Sequence, residues 1–315
     1  MIEISEKDKK FHSYNGKSIF NLPLHVPVGI SITDFLSDTF VKYQNLLKES
    51  RELINTGGAQ NFEEFAKKNE HICDKIVKVH EEVLNGRLCH AYRAFHQVAS
   101  QVKHIAIDIN HNHWQNGFVR QRDTKGLTSV KEFYHVPFDK INLCKAQRFS
   151  IAGYPCFYIG YSLDVCKAEI GNEGTYVKLY LKDDLKEKIR VVDLTWTTQD
   201  YSSCSLEDDL KSWPLIASCY VVPFWCKSQN KVCTDICINF RQEYIIPQLY
   251  TLYIKNNIKD AIGLRYYTVR NENLTYGKHE YMNIVLYPKY DREKQCNYDM
   301  DLMNMFKWEK PVNLN

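Results

Sequence analysis

Apolar residues recur at helical spacing through the first third of the chain. Leu36, Phe40, Tyr43 and Leu47 stand three and four positions apart, which places them on one face of a helix. Pro23 and Pro27 keep the preceding leader irregular. Thr33 is the expected N-cap of this helix, and Gly57-Gly58 its expected stop. Phe62, Phe65, Ile72, Ile76 and Val83 form the stripe of a second helix, opened by Asn61 and closed by Asn85-Gly86. Glu63 and Glu64 fall in its first turn, where acids meet the positive end of the helix dipole. A third helix is expected from Leu88 to about Ile105.

The pattern changes near residue 108. The stretch DINHNHWQNG at 108–117 reads as a polar hinge, and beyond it short apolar runs lie between turns. CFYIG at 156–160, YVKLYL at 176–181, IRVVDL at 189–194 and MNIVLYP at 282–288 predict strands. Helices are expected at 163–170, 206–220 and 241–256. The chain therefore reads as α+β, with a helical N-terminal module over 1–110 and a mixed β-sheet domain with flanking helices over 111–300. Residues 301–315 read as a C-terminal tail.

Composition narrows the function classes. Of 315 residues, 44% are hydrophobic and 25% charged, the balance of a folded globular protein rather than a disordered one. A net charge of +3 is too even for nucleic acid as the main partner, yet it leaves room for a local basic pocket. The polar start MIEISEKDKKFHSYNGK lacks the apolar run of a secretory signal, and no stretch of about 18 apolar residues marks a membrane span. A cytoplasmic protein with no membrane partner is expected. The 11 cysteines then read as thiols, most of them small buried hydrophobes, rather than a disulfide framework.

Candidate chemistry concentrates at 118–169, which runs from FVRQRD through EFYHVPF to QRFSIAGYPCFYIGYSLDVCKAE. Arg148 stands just before a Ser-Ile-Ala-Gly-Tyr-Pro turn, Tyr158 lies in an apolar strand, and Glu169 falls in a helix opened by Ser162 or Asp164. A strand, a turn and a helix can bring an Arg, a Tyr and a Glu to one cleft. Taken singly, each has a plainer role: Arg120 and Arg122 as surface charges, Arg148 and Glu169 as a structural ion pair, Tyr158 as core. His111 and His113 beside Asp108 make half a metal site at most. Cys226, Cys233 and Cys237 lack the paired spacing of zinc ligands and read as buried thiols, so no metal is expected.

In their order and spacing these residues resemble the RES (Arg–Glu–Ser) domain family. The early Arg of the pattern is Arg120, with Arg122 as its close rival. The second is Arg148, followed by an aromatic and Ser150; the strand Tyr is Tyr158 and the Glu is Glu169. EYIIPQLY at 243–250 matches the helix before the last motif, which reads GLRYYT at 263–268, and the closing Asn is Asn283 in EYMNIVLYP. Where the family has Ser, this chain has Thr268, which keeps the hydroxyl and adds a methyl.

The resemblance implies a fold akin to that of the ADP-ribosyltransferase toxins. It also implies cleavage of the nicotinamide–ribose bond of NAD, by phosphorolysis with inorganic phosphate as co-substrate or by hydrolysis. NAD would be a substrate, and no cofactor is implied. Glu169, Thr268 and Arg120 take the implied catalytic roles, and Arg122, Arg148, Ser150, Tyr158 and Asn283 the substrate-binding ones. As a toxin or defence effector the chain would have a protein antitoxin as partner. The residue types suit that chemistry. An Arg fork fits phosphate, a carboxylate steadies an oxocarbenium-like ribose, and a Tyr ring stacks on nicotinamide. Two other readings share the same residues: an interaction module of this fold with impaired activity, and a transferase that passes ADP-ribose to a protein.

Overall fold

The computed structural model describes residues 22–56, 61–109, 116–183, 189–195, 205–223, 240–270, 281–293 and 296–314. The amphipathic stripes form helices where their periodicity predicts. Helix α1 spans Ile32–Glu49 and buries Leu36, Phe40, Tyr43 and Leu47. Its cap is Ser31 rather than Thr33, since the Ser31 hydroxyl accepts from the Asp34 amide at 3.0 Å. Ser50 ends it, α2 follows at Arg51–Thr56, and Gly57-Gly58 lies outside the described residues. Helix α3 covers Phe62–Leu84, with Asn61 accepting from the Glu64 amide and the two glutamates in the first turn. Helix α4, Leu88–Ala99, stops short of the expected end because the chain turns into strand β2 at Ala106–Ile109.

Two compact units result. The first comprises residues 1–104, 196–230 and 240–253, and the second 105–195, 231–239 and 254–315. These bounds differ from those expected. Helix α6, Leu206–Cys219, belongs with the N-terminal helices because its apolar face packs on theirs. Trp213 meets Phe40 edge-on at 6.4 Å and Tyr43 at 4.5 Å, and the Tyr43 hydroxyl donates to the Leu210 carbonyl at 2.5 Å. Within the same unit, short strands β1 (Leu24–Val26) and β7 (Val221–Pro223) pair in parallel. Residues 301–315 are likewise no tail. Helix α8 (Met300–Asn304) leads into β10 (Phe306–Trp308) and β11 (Val312–Asn313), both antiparallel to β5 (Thr175–Leu181).

The second unit is a mixed nine-stranded sheet in the order β10-β5-β3-β4-β9-β8-β6-β2, with β11 also on β5. Its remaining strands are β3 (Phe118–Arg122), β4 (Phe157–Gly160), β6 (Ile189–Asp193), β8 (Ala261–Tyr267) and β9 (Met282–Leu286). All pairings are antiparallel except β6 with β8. At that parallel junction Asp193 stands opposite Arg265, and the two buried groups form a bidentate pair at 3.0 and 2.5 Å. The Thr195 amide and hydroxyl fill one Asp193 oxygen, so the buried charges are both paired and hydrogen-bonded. Helix α5 (Leu163–Ile170) flanks this sheet, and α7 spans Ile245–Asn257. Among the described residues no helix is long and apolar enough to cross a membrane.

One buried histidine makes the first unit sensitive to acid. His80 lies in α3 at 2% exposure, and its Nδ1 has no hydrogen-bond partner among the described residues. Burial pushes its imidazole down to about 4. In the unfolded chain the same group titrates near its ordinary value of about 6.5. Between these values the unfolded state binds more protons, so stability falls as pH drops from about 6.5 to about 4, by about 3 kcal/mol in all. His80→Leu should flatten this acid limb in urea unfolding measured across that range. Equal pH slopes in the two proteins would show that His80 is not held neutral.

Candidate functional site

Gly160 decides how the site is assembled. It ends β4, and a Cβ there would lie 2.6 Å from Val165 Cγ1 and 2.8 Å from Cys166 Sγ, so α5 rests closer to the sheet than any side chain at 160 permits. Ser162 opens the helix by accepting from the Val165 amide at 3.1 Å. Val165 and Cys166 then bury themselves against Val119 of β3. The far end is fastened by Gln121, whose amide donates to the Gly171 and Glu173 carbonyls at 2.7 and 2.9 Å. With both ends fixed, Glu169 in the last turn reaches over the neighbouring strands.

Three residues distant in sequence meet there. Glu169 Oε1 accepts from Thr268 Oγ1 at 2.7 Å and from Asn283 Nδ2 at 3.3 Å. Thr268 follows β8 and is held by its own amide, which donates to the Tyr281 carbonyl at 3.1 Å. Asn283 lies in β9, opposite Tyr266 on one side and Gly160 on the other. Thr268 and Asn283 are 2% and 6% exposed, whereas the Glu169 side chain keeps 28%, so the carboxylate is the accessible end of the cluster. Its second oxygen, Oε2, lies 3.6 Å from Arg270 Nε, and the Arg270 amide donates to Thr268 Oγ1 at 3.2 Å.

The same sheet face carries further expected residues. Strand alternation puts Tyr158 on the side of Gly160, and its hydroxyl donates to Ser150 Oγ at 3.1 Å. Ser150 closes a tight turn with Gln147 through backbone bonds of 2.9 and 3.2 Å. Inside that turn Phe149 is pinned on the Tyr266 ring at 4.5 Å, and half-buried Arg148 stands beside it. The cation paired with Glu169 is thus Arg270 and, among the described residues, not Arg148. Arg270 escaped the sequence reading although it stands two positions past Thr268, because it lies outside the matched motif.

Arg120 and Arg122 occupy the opposite face. They share it with Phe118, alternating with Val119 and Gln121, on which α5 packs. The Arg120 guanidinium donates to the Tyr158 carbonyl, reaches the Tyr134 carbonyl at 3.4 Å, and lies 4.7 Å over the Phe157 ring. Arg122 donates to the Glu132 and Tyr134 carbonyls at 3.2 and 2.7 Å. Neither has a carboxylate partner among the described residues. Burial lowers both groups, Arg120 well below its usual range. Their geometry fastens the 132–134 segment to β3. His111, His113, Cys226, Cys233 and Cys237 lie outside the described residues.

Comparison with known proteins adds one distant relative. "Putative toxin YopC" of Bacillus subtilis (strain 168) is 26% identical over 267 residues, covering 75% of this chain and 55% of that protein. The chain spans about half the length of the curated relative it matches. No family model matches the chain, and no solved structure does.

The close approach at Gly160 is open to direct test. Gly160→Ala forces its methyl into Val165 and Cys166, and overpacking of this kind costs about 1–3 kcal/mol. Combining it with Val165→Ala relieves the nearest contact, so the pair should lose less than the two single losses summed. Urea unfolding of the three variants reads this coupling. A Gly160→Ala protein as stable as wild type would show that α5 does not lie this close.

Proposed function

We propose that this chain cleaves NAD at the nicotinamide–ribose bond and acts as a toxin. The observation that carries the reading is the Glu169 carboxylate, oriented by Thr268 and Asn283 on one oxygen, in a side chain that stays 28% exposed. When the bond breaks, its electron pair leaves with nicotinamide, and the ribose develops oxocarbenium character. A fixed carboxylate beside the ribose stabilises that charge without reorganising during the step. Water or inorganic phosphate then adds to the ribose carbon, giving ADP-ribose or its 1″-phosphate. Nicotinamide is a good leaving group, so the step requires neither a strong general acid nor a metal.

In this reading the other residues divide the labour. Tyr158, held by Ser150, offers a ring to nicotinamide, and Arg148 at the neighbouring turn meets the diphosphate. Arg120 and Arg122 act from the opposite face by fixing the backbone of Tyr158 and Tyr134. Similarity to a protein named as a toxin supports the toxic outcome, which depletion of NAD would produce. A neutralising protein is the partner that such an activity calls for.

Purified protein incubated with NAD, with and without phosphate, should release nicotinamide, and the product mass distinguishes phosphorolysis from hydrolysis. Glu169→Gln keeps the shape and removes the charge. Its effect belongs to the transition state, so turnover should fall by about two to three orders of magnitude while NAD affinity stays within a few-fold and melting is little changed. A stable, fully active Gln variant would overturn the assignment. No turnover by wild type would favour the interaction module, and label on a protein acceptor would favour the transferase.

A further inference from the structure

We propose that His135 is an acid-sensitive latch: protonation of its ring breaks the hydrogen bond that fastens Asp299, and so loosens α8 and β10, the segment that closes one edge of the sheet. The proposal stands apart from the reading of Glu169. His135 is 1% exposed, and both of its ring nitrogens are engaged. Nε2 lies 2.8 Å from the Asp299 amide nitrogen, and an amide N–H only donates, so Nε2 keeps its lone pair. The ring proton then sits on Nδ1 and is donated to the Val136 carbonyl at 2.7 Å. The geometry thus holds the imidazole neutral in one tautomer. A second proton has only Nε2 to occupy, where it would face the Asp299 N–H donor against donor.

Asp299 makes that one bond consequential. Its Oδ1 caps α8 by accepting from the Leu302 amide at 3.0 Å, and its Oδ2 accepts from the Lys289 amide, just past β9, at 2.7 Å. His135 therefore ties the 134–136 segment to the start of α8. Helix α8 carries the chain into β10, where Phe306 and Trp308 meet the Phe157 ring at 5.8 and 5.9 Å, and Phe306 meets Phe118 at 6.5 Å. Release of this segment would reach Arg120 as well, whose guanidinium lies 4.7 Å over the same Phe157 ring. The charged and titratable groups that face His135 are Arg120 and Arg122 from β3, and Asp299 and Tyr298 ahead of α8. Phe138 adds an apolar ring at 4.9 Å. Burial is the main cause that holds the imidazole below the usual histidine range; the Val136 carbonyl and Asp299 pull it up, and the two arginines push it down. Once the segment opens, the ring returns to its ordinary value of about 6.5. The open form then binds the extra proton first, so the latch is present above about pH 6.5 and is lost as pH falls below it.

Hydrogen exchange read by mass spectrometry on the full chain, at about pH 7.5 and about pH 5.5 and corrected for intrinsic exchange chemistry, tests this. In wild type the protection of residues 301–308 should fall by several-fold, up to about tenfold, as one group titrating at about 6.5 in the open form dictates. His135→Gln offers a carbonyl oxygen to the Asp299 amide and does not titrate, so this pH-dependent loss should disappear. Protection of β9 in the same unit should be alike in the two proteins. Unchanged protection of 301–308 in wild type would overturn the proposal without recourse to any variant. So would a Gln variant that keeps the wild-type pH dependence, or one that alters β9 as much as 301–308, which would mark global stability instead of a local latch.

Discussion

The candidate site depends on one constraint, the absence of a side chain at Gly160. This residue pairs with Val119 on one side and Asn283 on the other, so it sits in the row of the sheet that the cluster uses. Because nothing projects from it, α5 lies directly on β3 and β4, with Val165 and Cys166 filling the space a Cβ would take. Helix geometry then fixes the rest. Glu169 falls one turn beyond Val165 and Cys166, over β9, and it meets Asn283 there because β9 pairs with β4 in a single register. A slip of one residue in that pairing would carry Asn283 to the other face.

The sheet separates two ways of handling buried charge. On the face away from α5, Arg120, Arg122 and Arg265 are spent on protein acceptors, either backbone carbonyls or Asp193. Those bonds hold the 132–134 segment and the parallel junction of β6 with β8, so their removal would leave polar groups buried and unmatched. On the α5 face, Glu169 is satisfied by two neutral donors on one oxygen and a loose cation on the other. The first face resembles the interior of a sheet protein, its arginine forks directed at protein acceptors. The second leaves the Glu169 side chain 28% exposed.

Much of this was legible in the sequence, and the misses have physical causes. The amphipathic helices were clear because one polar face remained, and the strand at 175–181 was clear because Lys178 stays exposed while its neighbours are buried. Strands β3 and β8 are buried on both faces over most of their length, so no alternation marks them. The unit boundaries were missed because the apolar face of α6 fits helices more than a hundred residues earlier, a match that no local pattern reveals. Glu169, Thr268 and Asn283 could be named from their order along the chain. The opposite placement of Arg120 could not, since it follows from strand parity, which becomes visible only when the strand is known.

Threonine at 268 also takes on a different meaning once its surroundings are known. Its hydroxyl donates to Glu169 and accepts from the Arg270 amide, so both kinds of hydrogen-bonding capacity are in use. A serine hydroxyl could make the same two bonds, but it would rotate among more side-chain wells. The added methyl restricts that rotation, as β-branching does generally. The bond to Glu169 spans 99 positions in sequence, and its geometry is set by the sheet, so a hydroxyl already confined to one well loses less entropy in making it. Threonine here therefore leaves the polar contacts of the cluster complete. It exchanges freedom of the hydroxyl for a carboxylate held more firmly in place, a change that favours electrostatic preorganisation over adaptability.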